Sequence, residues 1–313
     1  MRNPNEELPM DSTAKTFPKV ELDKIGDTFP GRFGFMFKDL NTGMECKYNA
    51  DTPMPTASVC KVAVMVELFR QDSEGILSLD DRHPLRKNIS SHGTGTLSIT
   101  RDYPTLTVRD YCRLMMGVSD NMATDMCIGL VGPDHIAATM ERMGYHNTRT
   151  PMPLGVWHYL MKGVVEEPSR ELDAQILTEE VNGPGDKTLP YASSLDNNVA
   201  SARNLCDIME EIEKREMVSP EASEFMIKMM KVPVNPNRIR QYLKPEIITA
   251  RKTGGSNRIK ADTGIVYLPT GPLVMAGLAT ADDREDAQRG MDAIADAARL
   301  VYETLSPESV LTA

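Results

Sequence analysis

The chain has 313 residues, 26% of them charged, and a formal net charge of −10 at pH 7. That length is ample for a buried core and for two lobes, and the acidic balance lacks the basic footprint of a nucleic-acid binder. No stretch reaches the apolar length of a membrane-spanning helix, so the expected partner is a small molecule, not a nucleic acid or a bilayer.

Residues 1–17 are polar and read as a flexible tail. Met1 to Glu7 carry neither an apolar run nor a cleavage pattern. The chain as it stands is therefore expected in the cytoplasm, or in the periplasm or outside the cell if a leader has been removed. Val20 to Thr28 reads as a short helix, and Arg32 to Lys38 with Met44 to Tyr48 as a hairpin. Thr52-Pro53-Met54-Pro55-Thr56-Ala57 cannot be helix interior. The run Val62 to Phe69 that follows reads as a buried helix, which places Ser58 in its first turn. Val108 to Met116 is amphipathic, with Thr107 and Asp110 resembling a capping box and Gly117 a stop. Met122 to Leu130 is a further apolar run closing at Gly132. Helical patterns continue to about Ala200, then through Ala202 to Lys214 and from Ser219-Pro220-Glu221 to Met230. Strands return at Ile247 to Ala250, Thr263 to Leu268 and Leu273 to Thr280, and a final helix spans Arg284 to Thr304. Strands at both chain ends must share one sheet. The expected organisation is a discontinuous α/β domain, residues 18–57 and 201–313, with a mainly helical domain, residues 58–200, inserted into it.

Three short motifs punctuate these elements: Ser58-Val59-Cys60-Lys61, Ser119-Asp120-Asn121 and Lys252-Thr253-Gly254-Gly255. Each alone has a bland reading, as a helix cap beside a surface lysine, an N-cap triplet and a turn between strands. A second S-x-x-K, Ser12 to Lys15, lies in the polar tail with no apolar run behind it and is a decoy. Together the three supply a hydroxyl nucleophile, an amine on the same helix face that can take its proton, a second hydroxyl that can relay it, and a cation beside a glycine-rich strand. Those are the parts of an acyl-transfer enzyme.

With these motifs the sequence resembles the class A serine β-lactamases and related penicillin-recognising serine hydrolases. The likeness runs from about Gly31 to Leu305. It includes Gly31 to Phe35 with Asp39 to Gly43, Tyr48 to Asp51, Arg238 to Arg240 and Gly264 to Pro269. The resemblance implies an α/β (α+β) fold of the β-lactamase/transpeptidase kind, an antiparallel sheet flanked by terminal helices with an inserted all-helical domain. It implies Ser58 as nucleophile and Lys61 as its base, with Lys61 lowered in pKa by burial and by Lys252. The backbone N–H groups of Ser58 and Gly255 would form the oxyanion hole. Ser119 would pass a proton to the leaving nitrogen, with Lys252 anchoring Ser119 electrostatically. Asn121 would hold the substrate's amide side chain, and Thr253, Gly254 and Arg238 its carboxylate. Arg238, fourteen residues before Lys252, could equally be a surface charge.

One part of the family pattern is missing. Its deacylation base is a glutamate in an E-x-x-L-N segment, and no clean copy is present. The nearest text, Glu166 to Asp173, makes Glu167, Glu166 and Glu171 the candidates, with a solvated acidic loop as the alternative. The five cysteines, at 46, 60, 112, 127 and 206, form no C-x-x-C and read as reduced core residues. The five histidines lack ligand spacing, so no metal or other cofactor is expected. The leading expectation is a hydrolase opening a β-lactam or related cyclic amide through a Ser58 acyl-enzyme. The alternatives are a cytoplasmic esterase or amidase acting on a non-antibiotic metabolite, and a penicillin-binding sensor that acylates and deacylates slowly.

Overall fold

A computed structural model describes residues 16–90, 92–100, 102–178, 187–232 and 236–312. The decoy Ser12 to Lys15 and nearly all of the expected tail lie outside these residues. Phe17, which the tail reading included, packs its ring on Phe37 at 4.8 Å.

A five-stranded antiparallel sheet runs in the order β2-β1-β9-β8-β7. Its members are β1 (Arg32–Asp39), β2 (Glu45–Tyr48), β7 (Ile248–Gly255), β8 (Ile259–Leu268) and β9 (Gly271–Thr280). Two strands thus come from the start of the chain and three from its end. Central strands are covered on both faces, so β1, β8 and β9 are buried almost along their whole length instead of at alternate positions. The two-residue period still sorts their side chains. Phe33, Phe35 and Phe37 of β1 face the C-terminal helix α10 (Arg284–Leu305), in one core with Ile294, Val301 and Tyr302. Met36 and, on β9, Val274, Ala276 and Leu278 face the opposite way, into a core with Leu205 and Ile208 of α8 (Ala202–Lys214). Each buried phenylalanine contributes about 1.5–3 kcal/mol relative to exposure. The N-terminal helix α1 (Lys19–Thr28) lies against α10. On β9, a Cβ at Gly277 would lie 2.7 Å from Ile294, so the small residue lets α10 approach the sheet.

The chain leaves the sheet after β2 through β3 (Met54–Pro55), which pairs with β6 (Val199–Ala200), and a 3₁₀ turn, Ala57–Cys60. Helix α2 (Lys61–Ser73) follows; Val62 to Leu68 are buried without exception. Its central place in the helical part explains why the run shows no strong amphipathic stripe. Around it pack α3 (Val108–Gly117), α4 (Asn121–Val131) and α5 (Pro133–Arg142), with a small hairpin of β4 (Arg82–Pro84) and β5 (Thr105–Thr107) ahead of α3. Thr107 caps α3, its hydroxyl accepting from Asp110 N at 3.0 Å. Then come α6 (Leu154–Lys162) and α7 (Arg170–Thr178), and α9 (Pro220–Met230) packs on α3 and β7.

Three details differ from the sequence reading. Ser58 stands in the 3₁₀ turn before α2 and not inside its first α-turn. Lys252 to Gly255 continue strand β7 instead of turning out of it, because each pairs with a residue of β8. Cys46, on β2 near the sheet edge, is half-buried, while Cys60, Cys112, Cys127 and Cys206 are buried; all five are free thiols. Among the described residues no helix is long and apolar enough to cross a membrane.

Candidate active site

The site forms where the edge strand β7 meets the 3₁₀ turn that starts α2. This approach requires Gly254: a Cβ there would lie 2.3 Å from Thr56 O, 2.9 Å from Val59 N and 3.1 Å from Ser58 N. Backbone atoms cannot swing aside, so only glycine lets the strand lie against the nucleophile's own peptide. Thr56 fixes the turn from its far side, its N–H and hydroxyl both donating to Asn198 O at 3.1 and 2.9 Å.

Six non-glycine residues among those described have positive φ, and three of them, Ala57 (45°), Ser119 (57°) and Arg238 (52°), line one cavity. Such conformations cost about 1–3 kcal/mol each and persist only where the surroundings enforce them. The cavity has a volume of about 530 Å³ and is bordered by Ser58, Asn121, Thr253, Gly254 and Gly255 as well. All three sequence motifs and Arg238 therefore converge on one space.

Lys61 and Lys252 lie just behind this lining, both buried. Lys61 Nζ sits 2.7 Å from Ser119 O, 2.9 Å from Asn121 Oδ1 and 2.9 Å from Ser119 Oγ. The first two atoms can only accept. A neutral amine donates to both and keeps its lone pair for the third, a hydroxyl that can donate. From the other side Lys252 Nζ lies 3.0 Å from Ser119 Oγ and 2.7 Å from Thr253 O. The Ser119 hydroxyl thus bridges two amines and can accept from one while donating to the other. Burial pushes Lys61 down to about 8. Lys252 is lowered well below its usual value, first by burial and then by the charge of Lys61. Two buried cations this close disfavour double protonation, so the relay is poised to hold one fewer proton than two free lysines.

Asp120 builds the frame for these groups. It caps α4 through Ala123 N at 2.9 Å and also accepts from Thr96 N at 2.6 Å and Leu97 N at 2.8 Å. Those bonds bring the 92–97 loop against the site, where Asn121 N donates to Thr94 O at 2.8 Å. One turn along α4, the buried Asp125 accepts from Leu154 N at 2.6 Å and Gly155 N at 2.8 Å, gripping the first turn of α6. Desolvation pushes the Asp125 carboxyl up to about 6. Below the cavity floor, the buried pair Arg251–Asp262, 2.5 Å apart, holds the Arg238 turn, since Asp262 also accepts from Ile239 N at 3.3 Å. Arg238 Nη1 donates to Asn237 Oδ1 at 3.2 Å, and its guanidinium lies beside Gly255. That turn is a buried cavity wall and not a surface charge.

The expected deacylation bases are corrected. Glu166, Glu167 and Glu171 are exposed, and none borders the cavity. Glu166 folds back onto Val165 N, and Glu171 lies in the solvent-facing first turn of α7. The segment presented to Ser58 is instead the start of α6, Leu154-Gly155-Val156-Trp157-His158. It has leucine where an E-x-x-L-N pattern has its glutamate and histidine where that pattern has its asparagine. Leu154, Trp157, His158 and Met161 recur at helical spacing and face the cavity together. His92 joins them from the loop, its ring 4.8 Å from that of His158. No carboxylate borders the cavity among the described residues. Sequence reasoning missed this wall. A stripe at positions i, i+3, i+4 and i+7 reads as core, and the proline before it was the one sign of a helix start. Among the described residues, no group of three metal-ligating side chains comes together.

A family model described as the β-lactamase enzyme family matches residues 18–305, and the chain belongs to that family. Over 293 residues it is 23% identical to β-lactamase VEB-1 of Pseudomonas aeruginosa, covering 90% of this chain and 88% of that one. A stretch of 124 residues, 38% of this chain and 40% of the relative, is 31% identical to β-lactamase L2 of Stenotrophomonas maltophilia. The structure of PBP-A superposes with a TM-score of 0.74 at 23% identity, covering 92% of this chain and 98% of that one.

Proposed function

We propose that this protein is a serine hydrolase that opens the amide of a β-lactam, or of a related cyclic amide bearing a carboxylate, through an acyl-enzyme on Ser58. The observation that carries this reading is the Ser119 hydroxyl bridged between Lys61 and Lys252 at 2.9 and 3.0 Å, beside Ser58. A serine hydroxyl becomes nucleophilic when a neighbouring base takes its proton. The neutral amine of Lys61, three residues on, fills that role when its lone pair turns from Ser119 Oγ to Ser58 Oγ. As Ser58 Oγ attacks the carbonyl carbon, the oxygen gains negative charge, which the N–H groups of Ser58 and Gly255 can receive. When the C–N bond breaks, Lys61 returns the proton through the Ser119 hydroxyl to the leaving nitrogen, and Lys252 stabilises the passing charge. Asn121 is suited to the amide of the acyl side chain, and Thr253, Gly254 and Arg238 to the carboxylate.

Membership of the β-lactamase enzyme family and the likeness to VEB-1 support a hydrolase acting on amides. A second reading is favoured by the carboxylate-free cavity wall: a protein that acylates readily and releases the acyl group slowly. Steady hydrolysis of nitrocefin or benzylpenicillin that disappears in Ser58→Ala is the expected result. A panel of small esters and linear amides turned over far better than either compound would replace the lactam with a metabolite ester or amide. Absence of both turnover and adduct on every compound would remove the proposal.

A further inference from the structure

We propose that His158 is the general base that activates water in the second half-reaction; this rests on the acyl-enzyme reading above. Its ring lines the cavity that holds Ser58, on the face of α6 that also carries Leu154. A Cβ placed at Gly93 would lie 2.8 Å from His158 Cε1 and 2.1 Å from Asn121 Nδ2, so only a glycine separates the imidazole edge from the amide that contacts Lys61. Nδ1 of His158 and Nδ1 of His92 are buried and take no hydrogen-bond partner from the described residues. Both atoms are closed off from solvent, so a water in the cavity meets the other ring nitrogen of His158, Nε2, and in this proposal that nitrogen receives its proton. Burial, then His92 and Lys61, lower His158 to about 3, with Asp173 opposing, so the imidazole stays neutral and able to accept a proton. Among the four α6 side chains of this stripe only His158 can do so: Leu154 and Met161 have no basic atom, and the Trp157 indole N–H donates to Asn197 Oδ1 at 3.2 Å.

The step balances within these groups. Water gives one proton to His158 as its oxygen bonds to the acyl carbon. The tetrahedral adduct then collapses, the bond from that carbon to Ser58 Oγ breaks, and the proton held by His158 passes to Ser58 Oγ. The product leaves as a carboxylic acid and the serine is restored. A base this weak makes release slow, since transfer efficiency falls as the base's pKa departs from the working pH.

The test follows the adduct by intact-mass spectrometry after mixing with benzylpenicillin, in wild type, His158→Asn and His158→Ala. The expected result is an adduct that forms within threefold of the wild-type rate but persists at least tenfold longer in both variants, with added imidazole shortening its life in His158→Ala. Equal lifetimes in wild type and His158→Asn overturn the assignment, as does a loss of acylation that matches the loss of release. A wild-type adduct that never decays also overturns it while leaving the Ser58 reading intact. Failure of wild type to form any adduct refutes the acyl-enzyme itself.

Discussion

Replacing Gly254 by alanine tests how the strand and the nucleophile are held together. The new Cβ would sit 2.3 Å from Thr56 O, whereas ordinary contacts begin at 3.4 Å. Relief needs an opening of about 1 Å between β7 and the 3₁₀ turn, because Val59 N and Ser58 N block the other directions. Overpacking of this kind costs about 1–3 kcal/mol. The greater effect falls on chemistry: Thr253 and Gly255 ride on the displaced strand and Ser58 on the turn, and a misplacement near 1 Å costs about 10²-fold in rate. Stopped-flow acylation by nitrocefin, together with urea unfolding of the same sample, separates the two effects. Acylation slowed by about two orders of magnitude in a protein that still folds is expected. A Gly254→Ala protein that acylates within threefold of wild type would refute this account of the glycine.

The pH dependence of acylation is set by Lys61, whose burial lowers it to about 8. Below that pH the ammonium predominates and cannot take the serine proton, so the rate should climb through about pH 8; a limb near pH 5 would point to a carboxylate instead. Leu154→Glu places a carboxylate at the head of the wall facing Ser58, and a positioned general base typically contributes about 10²–10⁴-fold. Its adduct should be released at least ~10²-fold faster by intact mass, and an unchanged lifetime would contradict the geometry drawn for α6. Asp262→Ala strands the buried Arg251 charge, which should cost about 3–5 kcal/mol. A urea midpoint close to wild type would contradict the structural importance of that pair.

Much of this architecture was legible in the residues. The helix Ala202 to Lys214 was read with its observed bounds because its apolar face repeats cleanly; the structure adds a Ser201 cap, whose hydroxyl accepts from Asn204 N. The three motifs were legible because each sits at a boundary between unlike patterns: a proline-rich stretch before a buried helix, a glycine stop before a second helix, a β-branched run before glycines. The left-handed backbone at Ala57, Ser119 and Arg238 was not, since none of these residue types announces positive φ; packing imposes it. The acidic stretch Glu166 to Asp173 misled because it mimics the text of the missing segment, while the chain takes another stretch, α6, to the cavity. What fixes α6 there is Asp125, a single buried carboxylate inside what reads as an ordinary apolar helix.

The central claim is most directly tested by locating the covalent adduct. Opening a lactam on a serine expels no leaving group, so the modified peptide should gain the full mass of benzylpenicillin. Peptide mapping of the trapped protein should place that mass on Ser58 and find none in Ser58→Ala. An adduct on any other residue, or one that survives in Ser58→Ala, would contradict the account.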